Sequence, residues 1–269
     1  MPNEKKLQIV PFRCPECGHP LKAMDQDIIY YCKFCEAGLH FCQTSKERIR
    51  RIPIVFAKTR AKPPASEVGS YNPDFYNLTH YLPFWTFITE GSLYERRTHL
   101  AYRSGDNYGP GRGRTNLYKG QKKESDITYQ PAAEEGHIDK KAIKKFRSLF
   151  YIPAFNTPDM VKMGAVITAG NPPIKAVSEK YLFGGVISEE EARQVADLVY
   201  IFFEAAKSDF LKEIDFSLRL TRPRIVAMPF HPVGKKIYDL VLGQSWPREI
   251  FEDWGEIVTF TENIKSSAS

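Results

Sequence analysis

The chain has 269 residues, 42% of them hydrophobic and 26% charged, a composition typical of a folded protein and unlike that of a disordered one. Its 38 lysines and arginines exceed its 32 aspartates and glutamates, so the formal net charge is +6. No apolar run is long enough for a membrane-spanning helix, and no apolar stretch typical of a secretory signal follows the first residues, so we expect neither feature.

Four of the five cysteines form two C-x-x-C pairs, Cys14 with Cys17 and Cys32 with Cys35. Two residues between thiolates let one tight turn aim both sulfurs at a single point, and two such turns make a tetrahedral cage. The cage suits one structural zinc ion, with iron in the same site as the alternative. Reduced thiols in this spacing favour the cytoplasm. Cys42 is left over, and we interpret it as a small buried hydrophobe or a substitute ligand.

Residues 1–45 are therefore predicted to be a metal-binding module with short strands at 7–13, 27–31 and 38–41. Gly18 and Gly38 follow the two cysteine pairs, where we expect a positive φ. This arrangement resembles the zinc ribbons of the transcription-factor-B and rubredoxin-like types. The resemblance covers these forty-odd residues and implies a scaffold rather than an activity.

Residues 46–70 are predicted to be a basic linker, stiffened by the Pro63-Pro64 pair. Its cations would attract phosphates, which makes them candidate contacts for a nucleic acid or another anion. They are Lys46, Arg48, Arg50, Arg51, Lys58, Arg60 and Lys62.

Residues 71–269 are predicted to form a β-rich α+β body. Three similar pentapeptides, at 81–85 (YLPFW), 151–155 (YIPAF) and 227–231 (AMPFH), indicate duplicated β units with proline at a strand edge or start. With the ribbon, they resemble bacterial zinc-ribbon proteins whose repeated strands open with an aromatic-Pro-Phe-Trp sequence. Some of those proteins are similar to parts of membrane-associated assemblies and carry a transmembrane segment. We expect no such segment in this chain, so peripheral association is the membrane role that the resemblance leaves open.

Further elements of the body are predicted from local signals. Hairpin turns are expected at Gly91-Ser92 and near Gly234, a long loop at about 101–138, and a basic helix at 139–150. A long amphipathic helix should begin after Ser188, since Ser188 and Glu191 form a capping box, and should cover one face of the sheet. Its apolar positions are Ala192, Val195, Ala196, Val199, Phe202, Phe203 and Ala206. A short helix is expected at 247–254.

The sequence carries no linear motif of a known catalytic site, although a site assembled from distant residues would leave no such trace. We therefore expect a non-catalytic adaptor or accessory subunit of a larger cytoplasmic or membrane-associated assembly, with a protein partner. One alternative is a nucleic-acid-binding accessory protein that uses residues 46–62. The other is a rubredoxin-like electron-transfer protein.

Overall fold

The computed structural model describes residues 12–21, 26–42, 48–62, 79–98, 142–177, 181–207, 211–251 and 255. Over these ranges the chain is mixed α+β, as predicted. Its elements, in chain order, are β1 (Ile29–Cys32), β2 (Ala37–Phe41), β3 (Ile49–Ile52), β4 (Ile54–Ala57), β5 (His80–Thr98), β6 (Lys144–Pro153), α1 (Met160–Gly170), β7 (Ala176–Val177), α2 (Glu189–Ala205), β8 (Leu211–Val233), β9 (Lys236–Asp239) and β10 (Ser245–Pro247), followed by a 3-10 turn at Arg248–Ile250. The predicted loop at 101–138 and the Pro63-Pro64 pair lie outside the described residues.

The strands form two sheets. Strands β1, β2 and β3 make a three-stranded antiparallel sheet beside the cysteines. The other seven strands make the main sheet, in which β8 pairs with β5 on one side and with β4 and β9 on the other. Strand β6 continues this sheet beyond β5. The longest pairings of the main sheet are therefore those of the β6–β5–β8 unit, in which β6 is an edge strand.

Both faces of the β6–β5–β8 unit are buried, as the alternation of side chains along β5 shows. Phe84 lies in one core cluster with Met163 and Ile167 of α1. Trp85, its neighbour, lies in the opposite cluster with Ala196 and Val199 of α2. Because successive side chains of a strand point to opposite faces, two apolar clusters on one strand mean that the sheet is covered on both sides.

Two of the three pentapeptides lie inside β5 and β8, and the third begins in the edge strand β6 and continues past its last residue, Pro153. Phe84 is in register with Pro153, and Pro83 with Ala227, so the proline positions of neighbouring strands nearly coincide. The expectation of an edge or strand start is wrong for Pro229, which lies inside β8, and for Pro83, which lies inside β5. Their carbonyls still take part in pairing, because Pro83 O accepts a hydrogen bond from Ala154 N at 3.0 Å and Pro229 O accepts one from Leu240 N at 2.9 Å. The duplication of β units stays a prediction.

Of the two predicted hairpin turns, one is confirmed. Strands β8 and β9 are joined at Gly234, which has φ +57°, with Val233 and Lys236 in register. The turn predicted at Gly91-Ser92 is wrong, because β5 runs straight through both residues. A methyl group at Gly91 would overlap the ring of Phe146 on β6, so this glycine is needed for close packing between strands rather than for a turn.

The basic helix predicted at 139–150 is also wrong over the described residues. Lys144–Pro153 is strand β6, paired with β5 from Phe84 to Leu93. Phe146 and Phe150 point to the face covered by α2, whereas Tyr151 points to the other face. The charge pattern of this segment fits a helix as well as a strand. Pairing with β5 and burial on both faces decide in favour of a strand.

Helix α2 begins at Glu189 with the predicted capping box, in which Ser188 and Glu191 exchange hydrogen bonds. Ala192, Ala196 and Val199 are buried. The apolar face is narrower than predicted, because Phe202 is 39% exposed. The short helix expected at 247–254 is a three-residue 3-10 turn in the part that the structure describes.

The segment predicted as a linker contains two strands, β3 and β4, and only Pro53 separates them. Beyond β4 the chain is bonded to the body, since Lys58 N donates to Lys175 O and Arg60 N to Leu240 O. Residues 48–62 are thus part of the fold. The prediction of a linker is wrong here because buried apolar residues, Ile52, Phe56 and Ala57, lie among and after the charges of this stretch.

Candidate metal centre

Each cysteine pair lies on a turn of the same form. Gly18 N donates to Cys14 O at 2.8 Å, and Glu36 N donates to Cys32 O at 2.8 Å. Gly18 and Glu36, the residues directly after the second cysteine of each pair, have φ of +74° and +58°. The two turns are therefore equivalent, and the second reaches the left-handed conformation without a glycine.

Gly38 does not have the positive φ expected from the sequence. It lies in β2, where an added methyl group would overlap the carbonyl of Ile52 and the side chain of Ile54. The glycine is required because β2 approaches the chain between β3 and β4 closely, so it serves the contact with the body rather than the cysteine turn.

The two turns bring the four predicted cysteines together. Their sulfur atoms all lie within 4.8 Å of one another. Cys14 Sγ lies 3.6 Å from Cys35 Sγ, and Cys17 Sγ lies 3.5 Å from Cys32 Sγ. Four sulfurs around one zinc at ~2.3 Å would be separated by ~3.8 Å in a tetrahedron. The spacing therefore fits a single ion bound by four thiolates.

The charges of the sulfurs also favour a bound cation. Burial raises the pKa of the Cys35 thiol to about 12, and the neighbouring sulfurs add to the effect. Burial acts in the same direction on Cys32, but hydrogen bonds from the Cys35 and Phe34 backbone N–H groups outweigh it and lower the pKa of Cys32. Without a cation the four sulfurs would not all be ionised, so a bound metal ion would supply the charge that makes four thiolates stable together.

The module around the cysteines has a small core of its own. Cys14, Cys32, Ala37 and Leu39 are its buried members. Arg13 Nη1 donates to Gly18 O at 3.0 Å and closes the first turn. So few buried side chains give limited stability, and a metal ion would supply much of the rest.

The module is packed directly onto the body. Ile29 and Ile52 belong to the same buried cluster as Trp85. Gly185 O accepts hydrogen bonds from both Ile28 N, at 2.7 Å, and Ile29 N, at 3.0 Å. The cysteine module and the body thus share one apolar core.

His19 and His40 lie near the cysteines but outside the group of sulfur ligands. His19 stacks on Phe34 with ring centroids 3.9 Å apart, and Phe34 is 55% exposed. His40 is fully buried against Trp85, and burial lowers its pKa. Its Nδ1 lies 3.4 Å from Cys42 Sγ, so Cys42 is a half-buried neighbour of His40 rather than a fifth ligand.

The predicted basic contacts do not act as one group. Lys46 lies outside the described residues, and Arg50 pairs with Glu189 at the start of α2. The other five are exposed: Arg48, Arg51, Lys58, Arg60 and Lys62. Arg48 and Arg51 lie at the ribbon sheet, whereas the last three follow β4 along the body. Sequence reasoning missed the Arg50–Glu189 pair, because its members are 139 residues apart.

Among the described residues, neither helix has the length and apolar character needed to cross a membrane. No protein-family model, no curated protein and no solved structure matches this chain. Its fold and site define it as a mixed α+β protein with a four-cysteine group suited to a metal ion.

Proposed function

We propose that Cys14, Cys17, Cys32 and Cys35 bind one structural zinc ion, and that the chain is a non-catalytic zinc-ribbon adaptor, an accessory subunit of a larger cytoplasmic or membrane-associated assembly. The observation that carries this proposal is the closed group of four sulfurs, all within 4.8 Å of one another. Four thiolates fill a tetrahedral shell and leave no position for a substrate or a reactive water. A metal bound in this way acts by stabilising a shape.

Exposed apolar side chains support the adaptor role. Phe34, Ile143, Leu198 and Phe202 are large apolar residues that remain exposed in a chain whose sheet is covered on both faces. Single exposed apolar residues are common, but Leu198 and Phe202 lie one turn apart on α2 and form part of a surface suited to a partner.

Native purification of the full chain tests this function. We expect tagged protein, isolated without denaturant from its own cells, to elute in a complex heavier than one chain and to contain one zinc per chain. Cys17→Ser should lose the metal and leave the complex, whereas Cys42→Ser should keep both. Elution of the unmodified protein as a free monomer would overturn the adaptor role.

The identity of the bound metal distinguishes a structural zinc site from the electron-transfer alternative. A colourless protein with one zinc per chain supports the structural site. A red protein with one iron per chain, reduced and reoxidised reversibly at the same four cysteines, would replace our proposal with electron transfer.

A second candidate function, nucleic-acid binding, is supported by the five exposed cations between Arg48 and Lys62. If it is correct, the protein should be retained on a phosphate-bearing resin and elute only as salt rises. Replacing Lys58, Arg60 and Lys62 by glutamine should shift elution to lower salt. Elution of the unmodified protein at low salt would contradict this candidate.

A further inference from the structure

We infer that the exposed face of α2 is the docking surface of this adaptor, and that its occupant is a basic amphipathic helix of a partner protein. The inference rests on the proposed function and names the surface and the partner class. It draws on three observations: the apolar pattern of the face, the sign of its charge, and the way both ends of the helix are held.

The exposed face of α2 carries an apolar stripe. Its members are Leu198, Phe202 and Ala205, which are exposed, and Ile201, which is half-buried. They recur at the spacing i, i+3, i+4 and i+7, which is the spacing by which one helix packs on another. Leu198 is 52% exposed and Phe202 is 39% exposed, so the residues that the structure describes leave the stripe uncovered.

The stripe has an acidic border. Glu190 and Asp197 are exposed along one side of it, and neither has an ion-pair partner in the part of the chain that the structure describes. The whole chain has an excess of basic residues, so this acidic surface is a local departure from the overall charge. A partner with lysine or arginine beside its own apolar stripe would complement it.

The cations at the two ends of α2 are paired with buried carboxylates. Arg50 and Arg193 pair with Glu189 at the first residue of the helix, and Glu189 is buried. Arg96 and Lys207 pair with Glu204 near the last residue, and Glu204 is also buried. These four cations are therefore engaged, and the exposed face keeps its negative charge.

The same ion pairs hold the helix rigidly. Arg50 comes from the ribbon sheet and Arg96 from β5, so each end of α2 is attached to a different strand. With Ala192, Ala196 and Val199 buried beneath it, α2 presents a preformed surface, and binding would cost little ordering of the helix.

The negative charge of this face favours a basic helix over a nucleic acid, an anionic membrane or a second copy of the chain. Phosphates of a nucleic acid or of an anionic membrane would be repelled by Glu190 and Asp197. A second copy of this chain, docked through the same face, would bring two acidic borders together. A basic amphipathic helix satisfies both the apolar stripe and the charges.

Peptide binding tests the surface. The probe is a fluorescent synthetic helix of about 18 residues, with leucines on one face and lysines on the other. We expect L198S/F202S to weaken binding at least tenfold, and E190Q/D197N to weaken it about threefold and reduce its salt dependence. The control Ile143→Ser, an exposed apolar residue outside α2, should bind like the unmodified protein. The same peptide with glutamate in place of lysine should bind at least tenfold more weakly.

Three results would overturn the inference: equal binding of the lysine and glutamate peptides, unchanged binding by L198S/F202S, or sedimentation of the unmodified chain as a dimer that L198S/F202S converts to monomer. Native purification separates this failure from failure of the adaptor role. If L198S/F202S stays in the native complex, the surface is wrong and the adaptor role stands. If the unmodified chain is a monomer, the adaptor role itself fails.

Discussion

Glu36 shows how tightly the cysteine turns fix individual residues. It has φ +58°, a conformation that glycine adopts freely and other residues adopt at a cost. The corresponding position of the first turn is Gly18, with φ +74°. The backbone hydrogen bond from Glu36 N to Cys32 O and the shared geometry of the four sulfurs hold the residue in place. The strain is thus tied to the site that four thiolates define.

Gly91 gives a residue-scale prediction about packing. Gly91→Ala should destabilise the protein by about 1–3 kcal/mol, because the new methyl group overlaps the Phe146 ring and strands β5 and β6 cannot easily separate. Chemical denaturation of the purified variant measures the change.

Two comparisons make that prediction specific. Ser92→Ala, one residue along the same strand, should change the free energy of unfolding by less than about 0.5 kcal/mol. Gly91→Ala/Phe146→Leu should recover part of the loss, since a smaller side chain leaves room for the methyl group. If the single Gly91→Ala variant is as stable as the parent, the close packing described here is incorrect.

Among the elements, α2 is the one that ion pairs hold most firmly in place. Glu189 is buried at its first turn and receives hydrogen bonds from Arg50 and Arg193. Glu189→Gln should cost about 1–2 kcal/mol in the free energy of unfolding, because it removes a buried charge that two cations face. Partial exposure of both arginines to solvent keeps the expected loss this small. The exposed Glu190→Gln is the matched control, with little change expected.

The pH dependence of this contact has a definite sign. Burial acts to raise the pKa of Glu189, but Arg50 and Arg193 outweigh it and hold that pKa below the ordinary value of 4.5. The unfolded chain therefore takes up a proton at a higher pH than the folded protein does. The stability advantage of the unmodified protein over Glu189→Gln should be full at about pH 6 and shrink as pH falls below about 4.5. An advantage that grows with acidification would show that the ion pair does not form.

At the scale of the whole molecule, the core that the cysteine module shares with the body predicts that loss of the metal destabilises the body as well. Cys17→Ser, or chelation of the metal, should lower the melting temperature of the whole chain by about 5 °C or more, because Ile29 and Ile52 pack in the body cluster with Trp85. Hydrogen exchange in β5 and β8 is the direct measurement.

Cys42→Ser is the control for that experiment, since Cys42 is outside the sulfur group. If β5 and β8 keep full protection when the four cysteines have lost their metal, the ribbon and the body are energetically independent despite their contact.

The features that could be predicted from sequence are those determined by neighbouring residues. The close approach of the four cysteines, the capping box at Ser188 and the turn at Gly234 each depend on a few adjacent positions. The features that could not be predicted depend on distant partners. Strand β6 carries charges typical of a helix, and only its pairing with β5 makes it a strand. Likewise, the sequence indicates an anion contact at Arg50, because its ion-pair partner Glu189 is remote in sequence.

Pro53, the single residue between the two sheets, has a mechanical consequence. Its carbonyl accepts a hydrogen bond from Ile225 N at 2.9 Å, and Ile54, the next residue, is in register with Ile225. Pro53 alone thus separates β3 from β4, and β4 pairs with β8, the longest strand in the part of the chain that the structure describes. A force that a bound molecule applies to the cysteine module would therefore reach β8 through β3, Pro53 and β4. These residues leave no flexible connection in which the movement could be lost.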